Sequence, residues 1–308
     1  MKHLYDTVVI GGGAAGYTAA LYAVRAGLDT LVIEKMSAGG QMILTGDIEN
    51  YPGFSDGIDG FELAMKMQAG AERFGTETKY GEVKSVKLDG DVKEIVTSGG
   101  TYFARTVIIA TGAHARELGV PDERELTGRG VHYCAHCDGR FYKDKTTVVV
   151  VGGNSAVSAA LYLARFAKKV TLLNRSDALK ATKIYHEPLM NTPNIEVRFN
   201  TVLDEFVVDG KLVGAKVKDK SGAVSEIPCD GVFVEIGRVP VTDLFRGQLE
   251  LDRNGYIVAG ESCETNVPGV FVAGDVRAKR LRQIVTAASD GAVAAHYAQE
   301  YLLGPVGD

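Results

Sequence analysis

The 308-residue chain has only four cysteines, no block of basic residues and no long apolar run, and each shortage removes a class of function. Without a continuous apolar stretch of about 20 residues there is no candidate membrane-spanning helix. The amino terminus passes straight into a strand-like pattern, without the charged, apolar and cleavable regions of an export signal. A net charge of −5 with no basic cluster gives no electrostatic reason to expect nucleic acid or an anionic membrane as a partner. Four cysteines in so long a chain do not make a disulfide scaffold. The expectation is a cytoplasmic protein, and in a reducing compartment a Cys-x-x-Cys pair is more often catalytic than structural.

Such a pair is present, in Cys134-Ala135-His136-Cys137-Asp138-Gly139. Two thiols at this spacing can close a small disulfide, and the carboxylate beside the second can move the proton that thiol–disulfide exchange requires. The competing reading is half of a zinc site, with His132 and His136 as further ligands. So tight a packing of ligands suits a tetrahedron poorly. Cys229 and Cys263 stand alone and read as buried small hydrophobes.

The length favours two domains. The 37 glycines exceed the average of about 7%, and many follow short apolar runs, the habit of an α/β fold. The first of these runs is Asp6–Ile10, which leads into Gly11-Gly12-Gly13-Ala14-Ala15-Gly16 and then a helical pattern from Tyr17 to Gly27. This is GxGxxG in its required context: Gly11 for the tight turn, Gly13 for close approach of a pyrophosphate, Gly16 for packing of helix on strand. The helix amino terminus offers its free N–H groups to the phosphates. The next strand, Leu31–Ile33, ends in Glu34, where an acid binds a ribose diol. Thr106–Ala110 ending in Thr111-Gly112, and Val270–Ala273 ending in Gly274-Asp275, read as further strands that put a glycine at the carboxyl edge of the same parallel sheet.

A second strand–glycine–helix pattern is incomplete. Val148–Val151 runs into Gly152-Gly153-Asn154-Ser155-Ala156, an apolar helix to about Phe166 and a strand Val170–Leu173. If Gly153 is the close-approach glycine and Ala156 the packing residue, Val151 occupies the tight-turn position and crowds it. The strand ends in Asn174-Arg175-Ser176, with neither the acid expected for a 2′-hydroxyl nor a full basic cluster for a 2′-phosphate; Arg175 and Lys180 are the cations available. A βαβ unit that binds nicotinamide weakly or not at all remains an open reading.

Taken in order, Gly11–Gly16, Gly39-Gly40-Gln41, Glu49–Gly53, Ala110-Thr111-Gly112, Gly130 with Cys134–Gly139, Val270–Asp275 and Arg282-Gln283 resemble the low-molecular-weight thioredoxin reductases, FAD-dependent pyridine nucleotide-disulfide oxidoreductases, over essentially the whole chain. The resemblance implies an α/β fold of two Rossmann-like, three-layer nucleotide-binding domains, the second inserted into the first. FAD would be held by residues 1–115 and 245–308, and residues 116–244 would form an NAD(P)-binding-like insertion that carries the dithiol and swings relative to the FAD domain. It implies that Gly11, Gly13, Ala14 and Ala15 line the pyrophosphate, Glu34 and Lys35 the adenosine ribose, and Gly40, Gln41, Thr45 and Asn50 the flavin side. Asp275 would meet the ribityl chain and Arg282, Gln283 and Ile284 the isoalloxazine, with Val83, Ala110, Thr111, Gly112 and Gly274 completing the pocket. Cys137 would take electrons from the flavin, Cys134 would attack the disulfide of thioredoxin, and Asp138 would be the acid–base group. A homodimer is also implied.

The departures concern the electron donor. The family reads GxGxxA and His-Arg-Arg-x-x-x-Arg where this chain has Val151-Gly152-Gly153-Asn154-Ser155-Ala156 and Asn174-Arg175-Ser176-x-x-x-Lys180. NADPH is therefore expected to serve poorly, with NADH or reduced ferredoxin, the donor of relatives with degraded second sites, as the alternatives. A flavin-dependent small-molecule dithiol oxidase and a flavin redox sensor without turnover are the competing functions. Asp138 and Gly128-Arg129-Gly130 before the dithiol favour a reductase acting on a protein.

Overall fold

The computed structural model of the chain describes residues 3–44, 46–150 and 153–304. The polypeptide forms two compact units, Met1–His114 together with Val239–Asp308, and Ala115–Arg238. In chain order the first unit opens with β1 (Leu4–Ile10), α1 (Ala14–Arg25), β2 (Thr30–Glu34) and α2 (Gly60–Glu72). Asp59 starts α2 by accepting the Phe61 and Glu62 N–H groups on its carboxylate, the usual way of satisfying donors that no earlier turn can reach. Then come β3 (Glu77–Tyr80), β4 (Val83–Lys87), β5 (Lys93–Thr97) and the long β6 (Gly100–Ile109).

The second unit contributes β7 (Val131–His132), α3 (Ala135–Asp138), β8 (Thr146–Val150), α4 (Asn154–Leu163), β9 (Lys169–Asn174) and β10 (Ile195–Phe199). An antiparallel set follows, β11 (Thr201–Asp209), β12 (Lys211–Asp219) and β13 (Val224–Pro228), before β14 (Gly231–Val234). The chain then returns to the first unit for β15 (Val270–Val272) and α5 (Ile284–Leu303).

The first unit's sheet runs β3-β2-β1-β6-β5-β4, with β15 also paired to β6. β3, β2, β1, β6 and β15 pair in parallel, and the β4–β5–β6 meander is antiparallel. Strand order reverses at β1, and in an open parallel sheet that switch point is where ligands bind, beyond the carboxyl ends of the strands. Strands covered on both faces must be apolar throughout; Val8–Ile10, Leu31–Ile33 and Val107–Ile109 are all buried. Helices α1 and α5 approach closely because both present small residues. A Cβ on Gly291 of α5 would lie 2.2 Å from the Ala15 carbonyl oxygen of α1.

The second unit's parallel sheet runs β7-β14-β8-β9-β10. One face packs through Val149, Leu172 and Phe233 against α4, the other through Val148, Val150, Val232 and Val234 against Leu203, Phe206 and Ile227 of β11–β13, giving three layers. α4 stops at Leu163, short of Phe166, because the Arg165 and Phe166 N–H groups turn back to the carbonyls three residues earlier, a tighter closing turn.

Candidate active site

The loop after β1 builds a cradle from backbone alone. Gly11 has φ +109°, and a Cβ there would meet the Ala110 carbonyl oxygen at 2.4 Å; one on Gly16 would lie 1.8 Å from the Gly11 oxygen. Only glycine fits either place. Gly13 differs: its φ is an ordinary −87°, and a Cβ would meet no protein atom within 4 Å. Nothing in the protein calls for glycine there, so the open space beside it is what the residue preserves. Gly13 caps α1 without a side-chain hydrogen bond, so no cap side chain covers the first N–H groups of the helix, at Ala14 and Ala15, the arrangement that suits an anion. Glu34, at the end of β2, accepts the Gly12 N–H at 2.7 Å and the Met36 N–H at 3.2 Å, which fixes its carboxylate beside the loop. Lys35 pairs with Glu82 at 2.9 Å, one residue before Val83.

The same cradle gathers later segments. Gly40 (φ +55°) and Gln41 begin a short 3-10 turn over residues 40–44. Thr45 lies outside the described residues. Asn50 donates from Nδ2 to the Gln283 Oε1 at 3.1 Å. Ala110 is buried, the Thr111 hydroxyl donates to the Val241 carbonyl at 2.7 Å, and Gly112 turns the chain at φ +71°. Gly274 (φ +80°) and Asp275 follow β15; the Arg282 Nε donates to the Asp275 carbonyl while its guanidinium lies 4.0 Å above the Tyr256 ring. Gln283 and Thr286 form a reciprocal cap, and Ile284 begins α5. Asp290 of α5 ties this loop down, bonding the Gly274 N–H at 3.0 Å, Arg277 at 2.8 Å and Lys279 at 2.7 Å. Burial alone pushes the Asp290 carboxyl up, but the hydrogen bonds from the two cations outweigh it and hold the group below its ordinary value.

In the second unit Cys134 and Cys137 form a disulfide. Cys134 is extended and caps α3, whose single turn carries Cys137; its carbonyl accepts the Cys137 and Asp138 N–H groups at 3.1 Å. Asp138 is buried and makes no cap hydrogen bond; its Oδ2 lies 3.1 Å from the His132 Nδ1, and the His132 Nε2 lies 2.7 Å from the Tyr142 hydroxyl. On the amino-terminal side the Ala135 N–H donates to Glu235 Oε1 at 3.1 Å. Glu235 is pushed up to about 7, chiefly by burial, with the Ala135 hydrogen bond and the Arg238 charge opposing. His136 stacks on Tyr162 with centroids 4.4 Å apart, and burial lowers its proton affinity. Its partner is a ring, and His132 is engaged with Asp138. Cys229 and Cys263 are buried free thiols pushed up to about 12 and about 11, mainly by burial. Among the described residues no cluster of His, Cys, Asp and Glu is arranged to hold a metal ion.

The second helix amino terminus repeats the first only in outline. Gly153 caps α4 with an extended φ of −168° and open space where a Cβ would stand; Ala156 is buried in the packing position, and Ser155 is exposed. Asn154 is committed elsewhere, its Oδ1 accepting the Thr182 N–H at 2.8 Å. Val151 lies outside the described residues. At the end of β9, Asn174 is 3% exposed and turned inward, donating to the Ser176 and Ala178 carbonyls, and the Ser176 hydroxyl also donates to Ala178. Arg175 and Lys180 are exposed, as is Lys183 beyond them.

Residues 5–291 match the family model of the pyridine nucleotide-disulphide oxidoreductases. The chain is 50% identical to the thioredoxin reductase of Listeria monocytogenes over 98% of its own length and 95% of the relative's. It is 46% identical to that of Bacillus subtilis, over 98% and 96%. The crystal structure of thioredoxin reductase from Streptococcus pyogenes covers 98% of this chain and 99% of its own at 44% identity, with a TM-score of 0.93. The chain belongs to the pyridine nucleotide-disulphide oxidoreductase family, and within it to the low-molecular-weight thioredoxin reductases.

Thioredoxin reductases of this family are flavoproteins, and the first unit fits FAD. The space kept open at Gly13, at the uncapped start of α1, has the room and the donors that a pyrophosphate needs, and the glutamate fixed at the end of β2 offers the acceptors that a ribose diol needs. Four residues that matter to this geometry escaped the sequence reading. In the sequence His132 reads only as a metal ligand, whereas its pairing with Asp138 and Tyr142 joins a strand end to two turns. Glu235 had a legible signal, an acid one residue beyond the apolar strand Gly231–Val234, at the ligand-binding edge of a parallel sheet. Asp290 had one too, as the one carboxylate within the small, apolar stretch Ala287–Ala295 of α5. Tyr142 had none.

Proposed function

We propose that this protein is an FAD-dependent thioredoxin-disulfide reductase. The first unit holds the flavin, and the second presents the Cys134–Cys137 pair. The observation that carries this reading is the closed Cys134–Cys137 disulfide with a buried carboxylate, Asp138, one residue from the second sulfur. Bound flavin supplies two-electron exchange between a donor and a disulfide. Electrons enter at Cys137 and break the S–S bond, and Asp138 delivers a proton to the Cys137 thiolate. Cys134 then attacks the thioredoxin disulfide as a thiolate, forming a mixed disulfide. Cys137 returns its proton to Asp138 and displaces reduced thioredoxin, re-forming the Cys134–Cys137 bond. The dithiol chemistry suits a reducing cytoplasm, and the family resemblance implies a homodimer.

The donor is the less ordinary part of the reading. We infer that NADPH reduces the flavin poorly and that NADH or a reduced ferredoxin serves better. A 2′-phosphate is best held by bidentate arginine contacts. Here Asn174 and Ser176 spend their polar atoms on closing their own turn, which leaves Arg175, Lys180 and Lys183 as separate surface charges. Anaerobic titration of flavin absorbance with NADPH, NADH and reduced ferredoxin in parallel, followed by addition of oxidised thioredoxin, tests both halves. Fast, saturable bleaching by micromolar NADPH would refute the donor assignment. A flavin that no donor couples to thioredoxin reduction would overturn the reductase.

A further inference from the structure

We propose that His132, backed by Tyr142, is the positioning residue for Asp138, completing a buried Tyr142–His132–Asp138 relay behind the dithiol. The inference rests on the acid–base reading of Asp138 given above. Three elements bring the groups together: His132 from the end of β7, Asp138 from the end of α3, and Tyr142 from the 3-10 turn over residues 139–142. All three side chains are buried. The seat for Tyr142 is specific, because a Cβ on Gly231 of β14 would stand 2.2 Å from its ring. The His132 ring is stacked on Phe233 and met edge-on by Tyr142, both with centroids 5.3 Å away.

The hydrogen-bond directions follow from the ends of the relay. Burial, and after it the Asp138 charge, keep the Tyr142 phenol protonated, so it donates to His132 Nε2. With Nε2 accepting from the phenol, the ring proton sits on Nδ1, the nitrogen that lies 3.1 Å from Asp138 Oδ2. One carboxylate oxygen is thus held by a fixed donor, which leaves Oδ1 to exchange the proton with Cys137. On reduction the S–S bond takes up two electrons, which a bound flavin would supply, and the Cys137 sulfur takes its proton from Asp138. The resulting carboxylate is met by the His132 N–H already in place. On oxidation by substrate the same proton returns to Asp138.

The test compares H132A, H132N, Y142F, D138N and H132A/D138N in steady-state thioredoxin reduction. Flavin content and reduction of a dye that bypasses the dithiol report that each variant is folded. An asparagine keeps an N–H near the Nδ1 position; an alanine does not. H132A is expected to lower kcat about tenfold, a part of the effect of losing an acid–base group, with KM for thioredoxin unchanged. H132N should recover most of that loss, and Y142F should lower kcat in the same sense but less. H132A/D138N should be no slower than D138N, because neighbours in one network are not additive. Full activity of H132A beside a slow D138N, additive losses, or no rescue by H132N overturns the inference alone. Full turnover of D138N overturns the acid–base reading and this inference with it. Should H132A fail to fold, an unchanged kcat in Y142F is the overturning result.

Discussion

Two glycines of the first motif, Gly13 and Gly16, are held for different reasons, and substitution separates them. Gly16 is fixed by protein atoms, since any Cβ would collide with the Gly11 carbonyl. Gly13 has ordinary backbone angles and empty surroundings. G13A should therefore fold with the melting temperature of the flavin-free wild type but bind FAD at least about tenfold more weakly, since a methyl group stands where the pyrophosphate approaches. G16A should fail to fold or melt far lower. Equal FAD affinity of G13A and wild type, measured by titration of the apoprotein, would remove the pyrophosphate from that position.

Glu235 makes a second residue-scale prediction, on pH. Its folded value of about 7 stands above the ordinary 4.5, so between those two points the folded protein binds the proton more tightly than the unfolded chain. Stability contributed by the neutral carboxyl is full below about pH 4.5, falls as pH rises towards 7 and is flat above it. The whole window is worth about 3 kcal/mol. E235Q keeps the acceptor for the Ala135 N–H and has nothing to titrate. Urea unfolding of both proteins at about pH 5 and about pH 8 should show the wild type losing stability relative to E235Q. A constant difference between them would mean that Glu235 titrates elsewhere.

At the scale of the element, α3 decides which sulfur does what. Its single turn sets Cys134 at the cap and Cys137 inside the turn, with Asp138 behind. C134S and C137S are both expected to abolish thioredoxin reduction, because each breaks the dithiol. Only C137S should also end direct exchange with the flavin, seen at alkaline pH, where Cys137 has given up its proton, as loss of the long-wavelength absorbance that a thiolate gives when it touches the ring. If C134S shows that loss instead, the order of the thiols is reversed. Elements of this kind divide what was legible in the sequence from what was not. Strand–glycine–helix units announce themselves because chain-local rules of turn and packing write them, as at Gly11–Gly16. The contact between His132 and Asp138 depends on β7 being laid beside β14 and on Gly231 making room for a ring 89 residues earlier in the chain. No local spacing encodes that.

At the scale of the whole molecule, the second unit is an insertion. The chain leaves the first unit after β6 and returns for β15, the strand that pairs with β6. The parallel sheet was readable because Val270–Asp275 looks like one more piece of the first motif, despite its distance along the chain. What the outer cations of the second unit do was less readable. Sequence gives Arg175 and Lys180 as charges but cannot say that Asn174 faces inward.

The burial of two cysteines has a practical side. With Cys263 held at about 11 and Cys229 at about 12, fewer than about one in ten thousand of either is ionised at neutral pH. An alkylating reagent therefore sees a four-cysteine chain as a two-thiol one when reduced and as thiol-free when oxidised. Mass spectrometry of a quenched maleimide reaction would read the redox state of Cys134 and Cys137 directly from the wild-type chain, with no cysteine removed beforehand.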